Sequence, residues 1–236
     1  MTIAINAAPL YVDHPTTKKP KTAKCVTTEK DYWNSFYSKF NISHPSQFCV
    51  MTAIEVDRTQ PIVEFGCGNG RDSIYLATHG HAVYGCDLSK EAIESNAARY
   101  KDVAHLSFEI VDASSSDEVR AVLDKAREDT SAANVTVYTR FFLHSIDQRQ
   151  ETKFLTALSA ALIPGDRLYF EFRCKMDESL DKVHGKDHYR RYIDTPLMLE
   201  DLIKLDFKIE YEITGTGMAK YKSEDPFVSR IIARKV

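Results

Sequence analysis

From Pro61 onward the chain alternates short apolar runs with longer amphipathic stretches. The apolar runs are IVEF, AVYGCDL, LSFEIVDA, VTVYTRF, RLYFEF, FKIEYEIT and VSRIIARKV. Between the first six lie DSIYLATHG, KEAIESNAARY, DEVRAVLDKARED, ETKFLTALSAALIP and PLMLEDLIKLD. Apolar runs of about four to eight residues, rich in Val, Ile, Tyr and Phe, predict strands, and the longer stretches with apolar residues at steps of three and four predict helices. Strands that alternate with helices make a parallel sheet covered on both sides. The predicted fold is therefore α/β: a doubly wound, mostly parallel seven-stranded sheet with helices on both faces. The last two strands have no helix between them, so they should pair antiparallel at one edge.

The pattern before Pro61 is different. Residues 1–28 mix Thr, Lys and Pro without periodicity and predict a flexible leader. In DYWNSFYSKF, Tyr32, Trp33, Phe36, Tyr37 and Phe40 recur at steps of three and four, a helix whose aromatic face is either core or the roof of a pocket. A second helix is expected from Gln47 to about Glu55 after His44-Pro45-Ser46. The organisation is thus a leader at 1–28, N-terminal helices at 29–60, and the sheet domain at 61–236 with an insertion at about 175–194.

Composition narrows the class. With 236 residues, 43% of them apolar and 28% charged, one α/β core is affordable and disorder is not expected. A net charge of -3 offers no broad basic face for nucleic acid or a membrane surface, and no run of about 18 apolar residues could span a bilayer. The first residues lack the charged region and apolar core of a signal peptide. Cys25, Cys49, Cys67, Cys86 and Cys174 are odd in number and widely spaced, which suits free thiols in a cytoplasmic protein.

The candidate chemistry starts at IVEFGCGNGRDS. Gly66, Gly68 and Gly70 follow the first strand directly, where a glycine turn lets a ligand approach backbone amides at a helix start. A pyrophosphate-binding turn wants G-x-G-x-x-G, but here the third glycine comes one residue early and Arg71 stands in its place. That spacing disfavours a dehydrogenase. Glu64, just upstream, would repel phosphates and suits a cationic or amine-bearing ligand. Asp87 ends the second strand, where a carboxylate can accept both hydroxyls of a ribose, and Asp112 ends the third, within reach of an adenine amino group.

With E-x-G-x-G-x-G at 64–70, Asp87, Asp112 followed by Ala113, and the turn at Pro164-Gly165, the chain resembles the class I S-adenosylmethionine-dependent methyltransferases over about residues 60–175. The resemblance implies a Rossmann-like domain and S-adenosylmethionine as cofactor. Gly66, Gly68 and Gly70 would line its methionine side, Asp87 would hold the ribose, and Asp112 with Ala113 would face the adenine, with Glu64, Cys67 and Leu88 as further cofactor contacts. No metal is implied. The other reading keeps a nucleotide crevice without catalysis, as in a regulatory module.

The acceptor should sit past the fourth strand, near Arg140 and His144, the two candidate catalytic residues. The N-P-P-Y or D-P-P-Y tetrad of amino-group methyltransferases is absent there, which favours O-methylation. His144 is either a base for a hydroxyl acceptor or a residue that shapes the loop by hydrogen-bonding backbone. Arg140 needs an acidic partner such as Glu171 or Glu64, and its fork is either structural or grips an anionic group. The run DKVHGKDHYRRYID supplies further candidate acceptor contacts in His184, Lys186, His188, Arg190 and Arg191, with Tyr32 from the aromatic helix. It resembles a segment of methyltransferases that tailor surface glycans and peptides. The expected acceptor is a polar or anionic small molecule, glycan or peptide. It accepts the methyl either on a sugar hydroxyl or on a carboxylate such as a peptide C-terminus.

Overall fold

Backbone pairing joins the seven apolar runs into one sheet. In the computed structural model, which describes residues 44–180 and 189–236, they are Ile62–Phe65 (β1), Val83–Asp87 (β2), Leu106–Ile110 (β3), Thr136–Arg140 (β4), Arg167–Arg173 (β5), Phe207–Gly215 (β6) and Val228–Lys235 (β7). Their order is β3-β2-β1-β4-β5-β7-β6. Strands β1 to β5 are parallel, while β7 pairs antiparallel with both β5 and β6. The expected fold class is the observed one. The last two strands pair antiparallel at one edge, as expected, and periodicity gave no hint of their order, in which β7 lies between β5 and β6.

Among the described residues six helices connect and cover the strands: Gln47–Glu55 (α1), Arg71–Thr78 (α2), Lys90–Arg99 (α3), Ser116–Thr130 (α4), Gln148–Ala161 (α5) and Thr195–Lys204 (α6). Ser46, Ser89, Ser115, Asp147 and Asp194 cap five of them, each accepting a backbone N–H from the first turn. The aromatic helix around Tyr32, and His184, Lys186 and His188, lie outside the described residues.

The period of two along each strand sorts the core into two layers. Val63 and Phe65, Val137, Phe170 and Phe172, and Ile231 and Ala233 form one cluster with Val119, Leu123, Phe154 and Leu158 of α4 and α5. On the opposite face Ile62, Tyr138, Tyr169 and Ile232 pack against Phe48 and Cys49 of α1 and Leu76 of α2. One register step further toward the strand ends, that second face turns polar. Arg140, Glu171 and Arg230 are paired neighbours on β4, β5 and β7. The strand order reverses between β1 and β4, the place where a doubly wound sheet opens a crevice beyond its strand ends.

Candidate functional site

A cleft of about 520 Å³ lies at that crevice, within the range of small-molecule sites. Its floor is the turn after β1, where Gly66, Gly68 and Gly70 take φ of 76°, 53° and 71°. Gly66 is the position that admits no side chain: a Cβ there would stand 2.6 Å from Phe142 Cδ2. Gly70 serves the turn, capping α2, while Gly66, Cys67 and Gly68 line the cleft. Asn96 of α3, buried, holds the loop from below through Nδ2 to the Gly68 carbonyl at 2.8 Å. Sequence reasoning missed it, since an Asn inside an amphipathic helix carries no motif.

The acids fall where the strand-end argument put them. Asp87 Oδ2 accepts from the Gly68 amide at 2.9 Å and Oδ1 from the Ser89 amide at 2.9 Å, so the carboxylate ties the glycine loop to the start of α3. Burial raises its pKa, against those hydrogen bonds. Asp112 Oδ1 accepts from Ser114 N at 2.8 Å, and Val111, Ala113 and the half-exposed Leu88 give the same end of the cleft apolar walls. Glu64 lines the cleft and accepts from Ser73 Oγ. This set of acceptors and apolar walls fits a nucleoside with hydroxyl, amino and cationic groups. It does not fit a pyrophosphate.

Burial, and second the charge of Asp72, push the Glu64 carboxyl from its ordinary 4.5 up to about 8, with the Ser73 hydroxyl pulling it back down. The native state then binds this proton more tightly than the unfolded chain. Below 4.5 both states hold the proton and the group is without effect; above 8 both have lost it and the fold carries the full penalty. The ligand-free protein should therefore lose stability, on the order of a few kcal/mol, as pH rises through that window. Urea midpoints at both ends of the window check this, and Glu64→Gln should flatten the slope.

Across the cleft the chemistry turns basic. Arg140 donates Nε to Glu171 Oε1 at 2.9 Å, and Glu171 takes Arg230 Nε on Oε2 at 2.7 Å. Of the two expected acids, Glu171 is thus the partner. Desolvation lowers the Arg140 pKa, but Glu171, Asp72 and Tyr138 together outweigh it, so the net shift is upward. Phe141, held at φ 57°, stacks under the Arg140 guanidinium at 4.1 Å and meets the His144 ring edge-on. A non-glycine residue in that conformation costs about 1–3 kcal/mol and is typical of functional sites. Lys220 and Tyr221, on the connection between β6 and β7, close the same end. Glu224 belongs to that connection and pairs with buried Arg173.

Two expectations change. Arg191 does not face the cleft: its guanidinium pairs with Glu151 of α5 and donates to the carbonyls of Leu143 and Ile146, so it anchors the segment that carries Arg190, which does line the cleft. His144, buried at the cleft wall, accepts the Arg173 backbone N–H on Nδ1 at 3.0 Å. That bond leaves the ring proton on Nε2, a donor, so the neutral imidazole has no lone pair there to receive an acceptor's proton. The loop-shaping alternative is the one this geometry supports, with an amide N–H in place of a carbonyl. Among the described residues no helix is long and apolar enough to cross a membrane, and no group of three His, Cys, Asp or Glu could hold a metal ion.

Comparison with known proteins agrees with the cofactor end of the site. Residues 62–165 match the family described as a methyltransferase domain. An S-adenosylmethionine-dependent methyltransferase from Anabaena variabilis superposes with a TM-score of 0.65 at 18% identity, over 88% of this chain and 93% of its own. Another from Methanosarcina mazei gives 0.60 at 17%, over 79% and 97%. Magnesium protoporphyrin IX methyltransferase from Synechocystis, with S-adenosylmethionine bound, gives 0.53 at 16%, over 88% and 79%. Residues 62–165 thus carry a methyltransferase domain, and the fold is the one seen in S-adenosylmethionine-dependent methyltransferases of known structure.

Proposed function

We propose that the chain O-methylates an anionic acceptor, the methyl going to a carboxylate oxygen of a small molecule or peptide. One observation carries this reading: the His144 Nδ1 accepts a backbone amide, so the ring offers no base there, while Arg140 lines the same cleft with only its Nε committed to Glu171. A hydroxyl nucleophile needs its proton removed as the bond forms; a carboxylate at neutral pH is already ionised. Orientation and exclusion of water then suffice. When bound, S-adenosylmethionine supplies the activated methyl group.

In this reading the Asp87 carboxylate takes the ribose hydroxyls, Asp112 and Ala113 the adenine, and Gly66, Cys67, Gly68 and Glu64 the methionine side. Arg140 orients the acceptor, Arg190 borders it, and the His144 Nε2–H donates to one of its oxygens. Tyr32, His184, Lys186 and His188 remain candidate acceptor contacts.

Label transferred from methyl-labelled cofactor to a panel of dicarboxylates, peptides and monosaccharides distinguishes the chemistries. A carboxyl ester releases methanol in mild alkali, whereas an ether keeps its methyl. We expect an alkali-labile product and a His144→Gln enzyme within about fivefold of wild-type turnover. An alkali-stable product, with turnover down by about 10²-fold or more in His144→Gln, would instead establish a hydroxyl acceptor and a histidine base.

A further inference from the structure

We propose that Arg71 and Arg140 form a subsite for a second anionic group of the acceptor, one that is held and not methylated, so that the substrate class is a dianion. The proposal rests on the anionic-acceptor reading and narrows it.

Arg71 opens α2 directly behind the glycine loop and lines the cleft. Its side chain is only 19% exposed. Its nearest acid is Asp72, 3.8 Å from Nε, beyond hydrogen-bonding distance. Nor is Asp72 available, because its oxygens already accept from Ser46 N at 2.8 Å, Ser46 Oγ at 2.7 Å and Tyr138 OH at 2.9 Å. Among the described residues the whole fork of Arg71 is without a hydrogen bond.

Arg140, at 14% side-chain exposure, commits Nε alone to Glu171, and the other Glu171 oxygen is taken by Arg230. Its two Nη groups make no hydrogen bond among the described residues. The strand period places Arg140 on the same sheet face as Tyr138, whose hydroxyl reaches Asp72, so the two arginines converge on one wall. Burial and then the charge of Arg140 depress the Arg71 pKa, as expected for two guanidinium groups left close together without an anion between them.

Burying an unpaired guanidinium is unfavourable unless something completes it. One fork matches one carboxylate; two facing forks match two carboxylates or a phosphate. A dicarboxylate and a phosphate-bearing carboxylate share this chemistry.

Protein saturated with S-adenosylhomocysteine, which fills the cofactor's own carboxylate position, is titrated with succinate, inorganic phosphate and acetate. We expect succinate or phosphate to bind at least about tenfold more tightly than acetate, and Arg71→Gln to erase that preference while moving S-adenosylhomocysteine affinity less than about twofold. Arg71→Lys, which keeps the charge and loses the fork, should recover only part of it. Preference for succinate over phosphate assigns the second group as a carboxylate, and the reverse assigns a phosphate. Dianions that bind no better than acetate overturn the proposal, as does a drop of about tenfold or more in S-adenosylhomocysteine affinity in Arg71→Gln, which would give Arg71 to the cofactor. A methyl group found alkali-stable on a phosphorylated hydroxyl acceptor would overturn the carboxylate reading and leave the subsite standing.

Discussion

Asp87→Ala should lose S-adenosylmethionine affinity by roughly 10²- to 10³-fold while the sheet remains folded. The carboxylate stands at the end of β2 with one oxygen on the Gly68 amide and the other on the Ser89 amide. Each oxygen keeps a further lone pair for a ribose hydroxyl, and hydrogen bonds to a charged group contribute about 1.5–3 kcal/mol each. Loss of two such bonds accounts for the expected drop. Burial already holds the Asp87 pKa above its usual value, so hydroxyl donors that favour the ionised form should lower it again. Asp87→Asn is the sharper variant, because its NH₂ cannot accept from an amide: one of Gly68 N and Ser89 N loses its partner while the side-chain volume stays. Calorimetric titration with S-adenosylhomocysteine, beside a thermal melt, separates lost binding from lost fold. Binding within about threefold of wild type in Asp87→Ala would remove the residue from the ribose.

The position of Asp87 was legible because it follows from local order: a strand, its C-terminal acid, and a distance of about twenty residues from the first glycine. The same holds for the glycine turn and for β1, β2, β4 and β5, whose burial on both faces writes near-continuous apolar runs into the chain. Features that depend on register were not legible. The sequence offered Arg140 two acids, Glu64 and Glu171; that it meets Glu171, and that Glu171 also meets Arg230, follows from strand pairings between residues 31 and 59 apart in sequence. The protonation of His144 is set by the amide of Arg173, 29 residues on, and nothing near HSI announces it. Arg190 and Arg191 are adjacent and chemically identical, yet one lines the cleft and the other is spent on Glu151; only the path of the segment decides which. Arg71 stood in view as the residue that broke the pyrophosphate spacing, but a broken motif does not say what the substituted residue faces.

The triad Arg140–Glu171–Arg230 yields the largest expected effect on stability. Glu171 is fully buried between two arginines whose side chains are 14% and 9% exposed. Glu171→Leu leaves both guanidinium groups without their counter-charge, and removal of one partner from a buried ion pair costs about 3–5 kcal/mol. For a domain of this size that corresponds to a fall of roughly 6–20 °C in melting temperature. A buried ionic row is a weak source of stability when compared with well-packed apolar residues of similar volume. The triple variant Arg140→Met, Glu171→Leu, Arg230→Met should therefore regain most of the loss, while methyl transfer to an anionic acceptor stays abolished and S-adenosylhomocysteine binding persists. Recovery of stability without activity would mean that the row exists to aim the Arg140 fork at the cleft. If the triple variant is no more stable than Glu171→Leu alone, the row is structural in its own right, and Arg230, which also donates to the Met218 carbonyl at 2.8 Å, would be the residue that secures the β6–β7 connection.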